Sequence, residues 1–271
     1  MENVFSGIIV FFLIMLSLLT LFGAGLESQI EVVEAWQAMQ DRAMQRIDAD
    51  MDAADLTFTE TGARLVLAYN GQSPLHRFDN WDVIVNYYDN DSTPEYHIAY
   101  LPYGSGGWQV GNIYLDYGLA EDEVFEPDML NAGETIALDL TLTESVGYGQ
   151  SIQVTVMNEH GGMAQTMARR NVPPSQTTLT DVYVNSGEAV TIDSSMLLFD
   201  DPDHSPTKVI YTITSGPTEG TLSYPTQFTQ AAINNNGLVY THGGGAADSF
   251  TFTVSDGVDT VGPFTLNIIV N

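Results

Sequence analysis

Asp200, Asp201 and Asp203 place three carboxylates in four consecutive positions around Pro202. Clustered hard oxygens are what Ca2+ selects, so this segment could begin a calcium site. Asp256 and Asp259 would complete it if the fold brings the two segments together. A solvent-exposed acidic turn accounts for the same residues. Glu121, Asp122, Glu123 and Glu126 form a second acidic group, which reads as a solvated loop. His76, His97, His160, His204 and His242 include no pair at the three-to-five spacing of a zinc motif, and there is no cysteine to assist them. No serine sits in a Gly-x-Ser-x-Gly elbow. Gly104-Ser105-Gly106-Gly107 and Gly243-Gly244-Gly245 neither open a helix nor carry a lysine, so they are turn glycines rather than phosphate loops. The expectation is a protein that is not an enzyme and has no cofactor beyond a candidate Ca2+. Asn90-Asp91-Ser92 is the one N-glycosylation sequon, and its polar, turn-like context suits a glycan.

The surface that must carry these residues is acidic. Thirty-five Asp and Glu face seven Lys and Arg, a formal charge of -28, and Lys208 is the single lysine. Such a surface repels nucleic acid, because phosphate binding needs clustered basic residues. It repels anionic headgroups as well. Without cysteine the chain has no disulfide staple, so its stability must come from buried cores or bound metal. At 271 residues it suits two modest domains and an appendage.

The appendage comes first. Asn3 to Leu26 carries no charge, and Ile8, Ile9, Phe11, Phe12, Ile14, Leu16, Leu18 and Leu19 make its centre intensely apolar. A run of this length could span a bilayer as a helix. No Lys or Arg precedes it, which disfavours a secretory signal peptide. The run flows without a break into good helix formers as far as about Asp50. Leu26, Ile30, Val33, Met44, Ile47 and Met51 fall at three-to-four spacing, interrupted by Gln37 and Gln40. A long helix over the segment 1–54 follows, and its stretch from residue 2 to about 50 alone would be roughly 70 Å by 1.5 Å per residue. A monomer of this size has nothing to cover it, so it needs lipid or further copies of itself.

Beyond it the period changes to alternation. Leu56 to Thr59, Ala63 to Tyr69, Trp81 to Tyr88, Tyr96 to Leu101, Thr135 to Leu142 and Ser151 to Met157 read as strands, with an acidic loop over Ala120 to Asp128. Short strands with no helix between them indicate an antiparallel sandwich or barrel over 55–170. Residues 171–178, with Pro173-Pro174, have a linker's composition. Seven further strand-like segments fill 179–271, the count of an immunoglobulin-like sandwich. The fold class is therefore mainly β with one long N-terminal helix and two β-domains.

Two resemblances are carried by quotable residues. Asp200-Asp201-Pro202-Asp203, Pro217-Thr218-Glu219-Gly220-Thr221-Leu222, Phe228-Thr229-Gln230, Tyr240-Thr241-His242 and the segment Asp248-Ser249-Phe250 to Ser255-Asp256-Gly257 follow in the order of a cadherin-like repeat of the chondroitin-sulfate-proteoglycan type. Residues 179–271 resemble such a repeat, which implies an extracellular adhesion or spacer module without enzymatic activity. The apolar-to-polar first helix, together with Tyr69-Asn70-Gly71-Gln72-Ser73-Pro74-Leu75 and Phe78-Asp79-Asn80-Trp81-Asp82-Val83-Ile84-Val85, resembles the type IV pilin superfamily and, within it, the archaellins. That resemblance implies a structural subunit of an extracellular helical filament, an archaellum or a type IV pilus-like fibre, used for motility or surface attachment. Its partners would be other copies of itself, with the membrane holding the helix before assembly and no nucleic acid. The competing readings are a monomeric membrane-anchored adhesin and a minor tip or stator subunit of such a filament.

Overall fold

The computed structural model describes residues 2–59 and 61–271; within the first helix the side chains of residues 2–7, 9, 23–28, 45 and 47 lie outside the description. Glu2–Ile47 forms one helix, α1. It stops short of the expected residue 54, because the carbonyls of the three residues that follow Ile47 find donors in the β-domain instead of in a further turn. Tyr69 Oη and the Gln72 amide donate to Asp48 O at 3.1 and 2.8 Å. Asn158 Nδ2 donates to Ala49 O at 2.8 Å, and the Asn70 amide to Asp50 O at 3.0 Å. The chain is thereby extended at Met51, which leaves the helical stripe and is buried at the start of a strand.

The strands of the first β-domain are β1 (Met51–Thr59), β2 (Gly62–Tyr69), β3 (Asp82–Tyr88), β4 (Tyr96–Leu101), β5 (Trp108–Asp116), β6 (Glu121–Asp122), β7 (Thr135–Thr141), β8 (Ser151–Met157) and β9 (Met163–Arg169). One sheet runs β1-β2-β7-β5-β6 and another β4-β3-β8-β9. The first is antiparallel, with β2 paired to both β1 and β7. Its inward residues include Leu65, Leu67, Ile136, Leu138 and Trp108, all buried. Trp81 and Trp108 lie with ring centroids 6.2 Å apart, and Phe78 stands edge-on to Trp81 at 5.2 Å. The acidic segment expected as a loop contains β6, held by Tyr114 and Asp116 of β5. Between Val110 and Asn112 a register shift breaks the alternation of β5.

The distal strands are β10 (Ser175–Leu179), β11 (Val182–Val184), β12 (Ala189–Thr191), β13 (Leu197–Asp200), β14 (Ile210–Ser215), β15 (Gly220–Leu222), β16 (Gln227–Thr229), β17 (Val239–His242), β18 (Asp248–Ser255) and β19 (Thr260–Val270). A five-stranded sheet runs β11-β19-β18-β14-β16, beside the sets β12-β17-β15 and β10-β13. Phe199, Tyr211, Phe250, Phe252, Leu266 and Ile268 belong to one buried cluster between them. A second, short helix, α2 (Gln230–Asn234), adds to the single one expected; the Thr229 side chain caps it by accepting from the Ala232 amide at 3.2 Å. Residues 175–178, expected in the linker, are part of β10 and pair with β13.

The chain divides into two compact units, residues 1–86, 98–143 and 153–167, and residues 87–97, 144–152 and 168–271. The second thus takes in more than the expected 179–271. Backbone bonds explain the addition: the Gly147 amide reaches Tyr88 O at 2.9 Å, Gly149 reaches Arg170 O at 2.9 Å, and Arg170 reaches Gln150 O at 2.8 Å.

Candidate functional site

Two features carry chemistry or assembly. The first is the surface of α1. Ile8, Phe11, Phe12, Ile14, Leu16, Leu18 and Leu19 are all more than half exposed. So are Ile30 and Val33 of the second half, along with Val32, Trp36, Met39 and Met44. The side chains of Ile9 and Leu26, expected in the same surface, lie outside the described residues. At about 100° per residue, Val32, Trp36 and Met39 fall on the side opposite Glu31, Glu34 and Asp41. The continuous described run 10–22 is roughly 20 Å of helix, shorter than the ~30 Å hydrocarbon core. Among the described residues no helix is long and apolar enough to cross a membrane; residues 3–7, 9 and 23–26 of the span expected over 3–26 lie outside the described side chains.

The helix is fixed to its β-domain by the turn between β8 and β9. Asn158 is buried; besides donating to Ala49 O, its Oδ1 accepts from the His160 and Gly162 amides at 3.1 and 2.9 Å. A side chain on Gly162 would begin 1.9 Å from Ala49 O, so the close approach requires glycine. Next to it, the Glu159 carboxylate accepts from the His76 and Arg77 amides at 3.1 and 3.2 Å and from Trp81 Nε1. Burial pushes the Glu159 carboxyl up, but the Trp81, His76 and Arg77 hydrogen bonds outweigh it and hold the group below the usual carboxylate range. These residues escaped sequence reading, since Asn-Glu-His-Gly-Gly reads only as a turn.

The second feature is the acidic group of the distal unit. Among the described residues Asp201, Asp203 and His204 bring one ligand atom each to within 4.8 Å of one another. His204 Nδ1 lies 3.4 Å from Asp201 Oδ1, 3.4 Å from Asp203 Oδ1 and 3.8 Å from Asp256 Oδ2. The side chains of Asp201 and Asp256 are 0% exposed. Asp201 Oδ1 accepts from the Asp203 and His204 amides, and Asp256 Oδ1 from those of Val258 and Asp259. Asn171 Nδ2 bridges Asp256 and Asp259 at 2.6 and 2.8 Å. Burial and the adjoining Asp203 carboxyl raise the Asp201 pKa. Burial also acts on Asp203, but its contacts with the Asp201 side chain and the Val172 amide win and lower it. Burial opposes ionisation of Asp256 too, and its Asn171 and backbone hydrogen bonds prevail and lower it.

Of the five expected calcium residues, the fold gathers Asp201, Asp203, Asp256 and Asp259. Asp200 does not join them. It ends β13, is exposed, and pairs with Ser175, because alternation along Leu197 to Asp200 sends Phe199 to the core and Asp200 to the other face. His204 and Asn171 were not anticipated. His204 could have been, as it directly follows Asp203; nothing local points to Asn171. Asn90 lies on an exposed bend after β3, with Oδ1 accepting from the Tyr148 amide at 3.3 Å.

Residues 174–270 match the family model described as Cadherin-like. Human extracellular matrix organizing protein FRAS1 is 33% identical over 99 residues, 33% of this chain and 2% of that protein. The chain thus spans only 2% of the length of this curated relative. Among solved structures, the archaellum periplasmic stator protein FlaG from Sulfolobus acidocaldarius is similar at 12% identity and a TM-score of 0.33, over 44% of this chain and 99% of that one. The archaeal flagellum of Methanospirillum hungatei is similar at 10% identity and a TM-score of 0.39, over 61% and 92%. At such scores these two likenesses carry no functional weight.

Proposed function

We propose that this chain is a structural subunit of an extracellular helical filament, archaellum-like or type IV pilus-like, that polymerises through α1. The observation that carries the reading is the uncovered apolar surface of α1 along both of its halves. Fully burying one such Leu, Ile or Phe is worth about 1.5–3 kcal/mol. A bundle of α1 helices from neighbouring copies recovers that energy, with the β-domains outside. Before assembly the apolar run 3–26 would rest in lipid, and packing exchanges lipid contacts for helix contacts. The role asks for no catalytic group. Neighbouring subunits of charge -28 repel, and a Debye length of about 8 Å at physiological salt screens this only in part, so salt or divalent cations should favour assembly.

A monomeric membrane-anchored adhesin is the second reading, favoured by the cadherin-like match of the distal residues. It leaves Trp36, Met39 and Met44 unexplained, because an anchor needs only about 20 apolar residues. Ile14→Asp tests the proposal. A charge in an apolar bundle costs several kcal/mol, so sheared cell-surface preparations should lack filaments while the subunit remains folded in the cells. Filaments at wild-type abundance from this mutant would end the proposal.

A further inference from the structure

The geometry points to a divalent transition-metal site of the zinc class, with a mixed nitrogen and oxygen donor set, at Asp201, Asp203, His204 and Asp256. Two buried atoms there lack hydrogen-bond partners among the described residues: Asp201 Oδ2 and His204 Nδ1. An orphaned carboxylate oxygen on a side chain with no exposure is costly, and a cation resolves it. His204 Nδ1 makes no hydrogen bond to the three carboxylates around it, yet it stands 3.4, 3.4 and 3.8 Å from their oxygens. Ligands bound at 2.0–2.1 Å to a tetrahedral ion stand about 3.3–3.4 Å from one another. The 3.4 Å between His204 Nδ1 and Asp203 Oδ1 matches such an edge, the 3.8 Å to Asp256 Oδ2 is somewhat longer, and Asp201 Oδ2 is the free oxygen of the carboxylate whose Oδ1 stands 3.4 Å away.

The donor chemistry selects the same class. Imidazole nitrogen suits zinc and its neighbours, whereas Ca2+ takes six to eight oxygens. Oxygens are scarce here, because most already accept N–H groups. Asp201 Oδ1 accepts two, Asp256 Oδ1 two, Asp256 Oδ2 one, and Asp203 Oδ2 takes the Val172 amide at 3.1 Å. Those bonds hold the carboxylates in place, as supporting groups around metal ligands do. Asp201 Oδ2, Asp203 Oδ1, His204 Nδ1 and the remaining lone pair of Asp256 Oδ2 are left for the ion.

The test uses the full-length chain in detergent, stripped with chelator and titrated with Co2+ as the spectroscopic stand-in for Zn2+. Excess Mg2+ at constant ionic strength occupies the general acidic surface. The visible ligand-field bands of tetrahedral Co2+ should appear at one ion per chain and vanish on adding Zn2+. His204→Gln should weaken Zn2+ binding by at least about tenfold, given the loss of the one nitrogen donor. Asp200→Asn should leave binding unchanged. Asp201→Asn should also abolish the spectrum; if that variant does not fold, the partly exposed His204 still provides the test. Absence of the Co2+ spectrum overturns the proposal. So does binding that persists undiminished in His204→Gln, or stabilisation by Ca2+ alone that ignores this substitution, which would mark an oxygen-only site.

Discussion

Removing the Glu159 carboxylate should loosen the first β-domain by an amount the structure allows to be worked out. In Glu159→Ala the His76 and Arg77 amides lose their acceptor, but both residues are exposed and water can replace it. Trp81 Nε1 cannot be served so easily, since Trp81 is 1% exposed. A buried donor left without a partner costs about 1–3 kcal/mol. With a smaller loss from the two amides the total comes to roughly 2–3 kcal/mol, a fall in Tm of about 8–12 °C for a domain near this size. Glu159→Gln keeps one acceptor oxygen and loses the charge, so its cost should be about half. The pH dependence is the sharper part. Because the folded pKa lies below the ordinary glutamate value of about 4.3, the carboxylate's contribution is complete above that value and is lost as pH falls through the folded pKa. Wild type and Glu159→Gln should therefore differ in Tm by a constant amount at pH 7 and pH 5, and converge at lower pH as the wild-type side chain takes up its proton. Thermal melts followed by Trp fluorescence and far-UV circular dichroism read this directly. A gap that stays constant or widens in acid would refute the claim that the ionised Glu159 anchors Trp81.

Asn158→Ala should cost about 3–4 kcal/mol, because three hydrogen bonds at a buried site lose their partner and Ala49 O is left unpaired; chemical denaturation of the detergent-held chain would show it, and a change under 1 kcal/mol would mean the joint between α1 and its β-domain is held elsewhere. Trp36→Glu separates the filament from the simple anchor: it should block assembly while leaving the amount of subunit in membranes unchanged, and filaments of normal length and number would remove the second half of α1 from the proposed interface.

Much of this protein is legible in its residues. A long uncharged run that continues into good helix formers at three-to-four apolar spacing reads as a helix, so α1 and its apolar surface follow from local pattern. Tyr96–Leu101 and Ser151–Met157 alternate cleanly and form strands at those bounds. β5 was hidden because the register shift at Val110 and Asn112 spoils its period of two. β9 was hidden because it is bounded by loop-like segments and presents Met163 and Met167 outward.

Sequence determined that an apolar helix needing cover precedes two β-domains on a strongly acidic chain, since helical and strand periods are properties of neighbouring residues. Tertiary structure alone decided where that helix ends and which acids meet. Asn158 reaches Ala49 across 109 positions, and Asn171 reaches Asp256 across 85. Such partners are chosen by how sheets pack and loops close, which no local pattern encodes. The same cause removed Asp200 from the acidic group and admitted His204: one residue of strand pairing at β13 turned Asp200 outward, and the loop beyond it brought the imidazole among three carboxylates.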